Sequence, residues 1–263
     1  MKLNKDYEVW LRETDLYLPN FSKILTQVNN EIFLIGAVVL NLYSRMNLIG
    51  TLTRQTGDID MSVGLISDTK EYTDLKDAFL SAGYIQDDRL KYRLHTPQKH
   101  AQGFSYIDLL AHPKNHKDKL RVQNLIGVGP EWSFDEIYFS LHEKIKILKN
   151  IFIPNPIGFI ALKMASYDHN PTERQRDLVD ISEVIDGLVK QNHSSDMKQI
   201  WKKMAAHNGS MIKQVSKMLK SLSGEMGTQY DFDDVEQELL GRGYDDIGLL
   251  RRMIVQFLED IGL

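Results

Sequence analysis

Leu34-Ile35-Gly36-Ala37, followed by Arg54-Gln55-Thr56-Gly57-Asp58-Ile59-Asp60-Met61-Ser62-Val63, decides how this chain is read. Ile59, Met61 and Val63 alternate with Asp58, Asp60 and Ser62, the period of a half-buried strand. Asp58 and Asp60 therefore point to one side, roughly 6.6 Å apart at about 3.3 Å of rise per residue. Both follow a Thr-Gly turn, which puts them at the mouth of a sheet. Two anions this close repel each other, and a bound divalent cation relieves the repulsion. The pattern is that of a metal-assisted phosphoryl or nucleotidyl transfer site.

Just upstream, Ile32 to Ile35 reads as a short apolar strand ending in Gly36. Val38, Leu42 and Met46 fall at i, i+4 and i+8, so a helix starts directly on that glycine. Such a turn offers backbone N–H groups at a helix N-terminus, a seat for phosphate, and Gly36 lets the backbone approach closely. Phe21 to Val28 predicts a helix, with Asn20 after Pro19 as its cap. Tyr72, Leu75, Phe79 and Ala82 predict another, stopped by Gly83. Arg89 to Thr96 and Gly103 to Ala111 read as an antiparallel pair, which places Asp108 in a strand. A hairpin is expected from Glu136 to Ile153.

Pro154-Asn155-Pro156 is the strongest punctuation, and the pattern beyond it is helical. Ile157, Ile160, Ala161 and Met164 make one apolar face; Leu178, Ile181, Ile185 and Leu188 make a second. Further helices are expected near Met197 to Ala206, Ser210 to Leu222, Asp233 to Leu240 and Ile247 to Ile261. The expected fold class is α+β. A small mixed β-sheet domain with an N-terminal helical extension occupies residues 1–153, and a helical domain occupies 154–263.

Composition excludes several chemistries. Among 263 residues, 42% are hydrophobic and 26% charged, the balance of an ordinary globular protein. There is no cysteine, so disulfides, thiolate metal sites and a Cys nucleophile are ruled out. A net charge of −4 supplies no global basic field, so a nucleic-acid partner needs a local basic patch. The N-terminus lacks the apolar core of a signal peptide, and the apolar run Ile32 to Tyr43 is too short to span a bilayer. A cytoplasmic location with no membrane partner is the expectation. His112 and His116 lie four apart, but Pro113 argues against a helix there and hence against a zinc pair; His95 and His100 read as solvated loop residues.

Gly36 between strand and helix, Asp58-x-Asp60 on the next strand, and Asp108 on a later one together resemble the nucleotidyltransferase superfamily of the polymerase-beta type. Pro154-Asn155-Pro156-x4-Ala161-Leu162-Lys163-Met164-Ala165, then Arg174-x2-Asp177-x2-Asp180-Ile181, is similar to the helical part of abortive-infection (type IV toxin) nucleotidyltransferases. Arg54, Thr56, Asp58 and Asp60 match the acidic strand of those proteins. The similarity spans roughly Ile32 to Ile185. It implies a Mg2+ (or Mn2+) dependent transfer of NMP from an NTP, ATP included, to a hydroxyl acceptor. The acceptor would be an RNA such as a tRNA 3′ end, a protein side chain or an aminoglycoside-like molecule. The toxin branch further implies a silencing antitoxin partner.

On that resemblance, Asp58, Asp60 and Asp108 hold metal, and Asp108 takes the proton of the acceptor hydroxyl. Gly36, Ala37, Arg54, Thr56 and Arg174 contact nucleotide, Lys163 reaches a phosphate, and Asp177 orients Lys163 or Arg174. Ala37 stands where the superfamily usually has Ser or Gly; it keeps the N–H donor and loses the hydroxyl. That departure motivates an alternative, a nucleotidyltransferase-fold binding module without catalysis.

Overall fold

The computed structural model describes residues 4–28, 31–51, 58–65, 69–97, 106–113, 118–128, 134–224, 230, 232 and 235–263. The chain divides into two units. One comprises Met1–Leu42, Arg54–Asp135 and Ile145–Ile153; the other comprises Tyr43–Thr53, Glu136–Lys144 and Pro154–Leu263. The chain enters the second unit for the last time at Pro154, after two earlier segments have already joined it.

The first unit is built on a mixed sheet: β1 (Ile32–Ile35), β2 (Asp58–Leu65), β3 (Ile85–Gln86), β4 (Arg93–His95), β5 (Tyr106–Pro113), β6 (Ile145–Lys146) and β7 (Ile151–Ile153), in the order β3-β4-β5-β2-β1-β7-β6. β2 and β5 run parallel, as do β1 and β7; the remaining neighbours are antiparallel. Alternation sorts the two faces. Ile59, Met61, Val63, Ile107, Leu109 and Leu94 are fully buried on one side. Helices α4 (Lys70–Ser81) and α5 (Lys119–Ile126) pack on the sheet, and the Tyr72 hydroxyl donates to the Leu109 carbonyl at 3.0 Å.

The N-terminal extension belongs to this core. In α1 (Asn4–Asp15) and α2 (Phe21–Gln27), Trp10 meets Phe21 edge-on at 6.3 Å, and Phe21 in turn meets Phe79 of α4 at 6.3 Å. Asn150 Nδ2 donates to the carbonyls of Leu25 and Val28, tying the end of α2 to the β6–β7 hairpin.

Two local expectations are corrected. Asn20 adopts a left-handed conformation (φ 63°) and makes no side-chain cap on α2. The hairpin is confined to Ile145–Ile153, because Asp135–Leu141 is a helix, α6. Ile137 and Phe139 alternate as in a strand, but Phe134, Ile137 and Ser140 are buried at helical spacing, and that pattern wins.

The second unit is helical, with α7 (Pro156–His169), α8 (Gln175–Lys190), α9 (Met197–His207), α10 (Gly209–Leu222), α11 (Glu236–Gly241) and α12 (Ile247–Ile261). Asn155 starts α7: its Oδ1 accepts from the amides of Ile157 and Gly158, and Pro156 at N1 has no N–H to satisfy. The same side chain donates through Nδ2 to the His142 carbonyl at 3.0 Å. α7 packs on α6 with so little space that a Cβ on Gly158 would lie 2.9 Å from Ser140 Cα. Among the described residues no helix is long and apolar enough to cross a membrane.

Candidate active site on the sheet

Register brings the acidic residues together. Ile35 pairs with Asp60, Asp60 with Asp108 and Asp108 with Arg93, one row running across β1, β2, β5 and β4. The adjacent row is Asp58, Tyr106 and His95. Paired residues on neighbouring strands point to the same face, about 4.8 Å apart. Asp58, Asp60 and Asp108 therefore share one face, opposite the one filled by Ile59, Met61 and Ile107.

Gly36 borders that row. It leaves β1 with φ +72°, and the chain turns directly into helix α3 (Val38–Arg45); the amides of Val39 and Leu40 donate to the carbonyls of Gly36 and Ala37. A Cβ at position 36 would lie 2.0 Å from Asp60 Oδ2, so glycine is required both by the dihedral and by the carboxylate against it. The Gly36 turn thus lies directly beside Asp60. Arg54 and Thr56 fall outside the described residues, so their expected nucleotide contacts stay with the sequence.

The side chains are already engaged. Arg93 forks onto Asp108, Nε to Oδ1 and Nη2 to Oδ2, each at 2.8 Å. Its guanidinium carbon also lies 3.8 Å over the Tyr106 ring, and the Tyr106 hydroxyl donates to Asp58 Oδ2 at 2.9 Å. Asp108 holds the guanidinium well above its ordinary pKa, and burial, with Asp58 beside it, raises the Tyr106 phenol. His95 is not simply solvated: its Nε2 meets Asp87 Oδ2 at 2.8 Å, and its ring meets Tyr106 edge-on at 6.2 Å. With side chains so committed, no three carboxylates or imidazoles among the described residues converge as a ready cage for one ion. The donor chemistry fits a hard divalent cation, since three carboxylates share one face and Gly36 beside Asp60 carries no side chain.

Further along the same face, Ser62 Oγ and His112 Nδ1 are 2.7 Å apart, and both residues are buried. His112 is a strand residue held within the sheet, and its sequence neighbour in spacing, His116, lies outside the described residues.

The remaining expected site residues lie in the helical unit. Lys163 Nζ sits between Asp177 Oδ1 at 2.8 Å and Asp180 Oδ2 at 2.6 Å, and all three are buried. Burial pushes its pKa down, but Asp180 and Asp177 outweigh burial and the net shift is upward. Arg242 continues the network to Asp180 and Glu183, at 3.2 and 3.1 Å. Arg174 is exposed at the start of α8, where its amide donates to the Asn170 carbonyl. Lys163 thus forms a buried ion-pair cluster with Asp177 and Asp180.

The sequence does not single out Arg93 or Tyr106 for the site, and it reads His95 as a loop residue where the structure has it in β4. The alternation Tyr92-Arg93-Leu94-His95 puts Arg93 and His95 on one face, but their partners follow only from the β4–β5 register. No protein-family model matches the chain, and no curated protein is significantly similar to it.

Proposed function

We propose that the chain is a divalent-metal-dependent nucleotidyltransferase that moves NMP from an NTP to a hydroxyl acceptor. One observation carries the reading: Asp58, Asp60 and Asp108 share a sheet face, with Asp60 against the side-chain-free turn at Gly36. Magnesium or manganese held by these three carboxylates would neutralise triphosphate charge and acidify the acceptor hydroxyl. The backbone amides of the Gly36–Ala37 turn, ahead of the Val39 and Leu40 amides that already close the first turn of α3, would seat the triphosphate. Asp108 takes the proton as the acceptor oxygen bonds to the α-phosphorus; the bond from that phosphorus to the bridging oxygen breaks, and pyrophosphate leaves. Lys163 carries no part of this proposal, because its ammonium is committed to Asp177 and Asp180. A cytoplasmic setting, where NTP is abundant, suits the activity; an RNA acceptor and an antitoxin partner belong to the toxin version of the reading.

The Arg93–Asp108 pair favours a second reading, a sheet that binds nucleotide without transferring it. Incubation with each α-32P-labelled NTP, Mg2+ and either total RNA or lysate protein separates the two. The proposal expects label on a macromolecule with wild type and none with Asp60→Asn. Nucleotide binding without transfer to any acceptor class would select the second reading.

A further inference from the structure

We propose that Arg93 is a resident counter-charge for the site, occupying Asp108 until a divalent cation arriving with a triphosphate displaces it. The inference rests on the nucleotidyltransferase reading and adds to it a residue that controls when metal binds. A forked guanidinium satisfies both oxygens of Asp108 at 2.8 Å, so Asp108 cannot turn those lone pairs to a metal while the fork is closed. The guanidinium lies on the Tyr106 ring, and that tyrosine's hydroxyl is bonded to Asp58, so the clamp spans two of the three carboxylates. Tyr106, opposite Asp58 in register and two residues before Asp108 on β5, keeps Arg93 in place by cation–π contact.

The consequence is a coupling between ligands. Bare metal must break the Arg93 fork and leave a cation with no anion to receive it, which is unfavourable. A metal–triphosphate complex supplies the cation for Asp108 and an anion for the displaced guanidinium in one event. The two ligands then bind with positive coupling, and linkage makes that coupling reciprocal. Bare cation binds weakly because the competent, unclamped state is a minor one.

Mn2+ provides the direct test, with free ion followed by its EPR signal, on wild type, Arg93→Gln, Arg93→Lys, Tyr106→Phe and Asp60→Asn. Circular dichroism confirms that each is folded. Without nucleotide, Arg93→Gln is expected to bind Mn2+ about tenfold tighter than wild type, the order a charged hydrogen bond is worth. ATP should improve Mn2+ affinity strongly in wild type and much less in Arg93→Gln. Arg93→Lys, which keeps charge but cannot fork, and Tyr106→Phe should shift the same way by less, and they decide the matter if Arg93→Gln does not fold. Equal or weaker Mn2+ binding by the Arg93 variants, with Asp60-dependent binding intact in wild type, overturns the clamp and leaves the nucleotidyltransferase reading standing. No Asp60-dependent Mn2+ binding in any protein, with or without ATP, overturns both.

Discussion

Gly36→Ala is the substitution whose cost the structure fixes most closely. Position 36 sits at φ +72°, where an alanine costs about 1–2 kcal/mol relative to its preferred conformations. The new methyl would lie 2.0 Å from Asp60 Oδ2 and 2.9 Å from its Cγ, so the carboxylate must rotate away. Forcing that side chain off its rotamer adds roughly 0.5–1.5 kcal/mol. The sum is about 2–3 kcal/mol, or a shift of roughly 1 M in urea midpoint at an m-value of ~2–3 kcal/mol/M. The sheet unit should be followed by hydrogen exchange of β1 and β2 peptides across the titration, alongside circular dichroism. Gly50→Ala, where an added Cβ meets nothing within 4 Å, is the control and should stay within about 0.5 kcal/mol. Because Asp60 is the group displaced, Gly36→Ala should also lose Asp60-dependent Mn2+ binding. A change below about 0.5 kcal/mol with Mn2+ binding unaltered would refute both the steric and the site argument.

Other outcomes follow from the same contacts. Lys163→Met should destabilise by about 3–5 kcal/mol, because the buried Asp177 loses its cation and Asp180 keeps only Arg242; urea unfolding measures it. Since the folded pKa of Lys163 is raised, its contribution is complete below the ordinary 10.5 and is lost as pH rises through the folded value, so wild type and Lys163→Met should converge in strong alkali. His142 behaves in the opposite sense: burial, then His207 stacked at 3.8 Å, hold its pKa below 6.5. Its contribution is therefore present above 6.5 and lost as pH falls further, and His142→Phe should flatten the acid side of a midpoint-versus-pH curve. Gly187→Ala would place a Cβ 2.4 Å from Ile49 Cβ and 2.8 Å from its Cα. Overpacking of about 1–3 kcal/mol should outweigh the ~1 kcal/mol of helix propensity gained, so thermal unfolding should show a net loss.

Much of the fold is legible in the sequence where one periodicity is unopposed. Ile59, Met61 and Val63 alternate cleanly and form β2; Leu178, Ile181, Ile185 and Leu188 repeat helically and line α8. Where two periods coexist, as in Ile137-Tyr138-Phe139-Ser140, tertiary burial decides, and alternation points to the wrong element. Of the site, Asp58 and Asp60 are legible because two residues on one strand fix their own spacing. Asp108 needs the topology, and its partner Arg93 needs the β4–β5 register, which no local pattern encodes. Lys163 reads as a phosphate contact only through the family resemblance, whereas its two partners come from the next helix and become visible only once α7 and α8 are packed.

Thermal unfolding with each NTP, with and without Mg2+, tests the proposed metal-dependent nucleotide site at Asp58, Asp60 and Asp108. A ligand bound only to the native state raises the midpoint. A Mg2+-dependent rise is expected with at least one NTP in wild type, and none in Asp58→Asn/Asp60→Asn. A folded wild type whose midpoint moves with no NTP, or moves equally in the double variant, would contradict it.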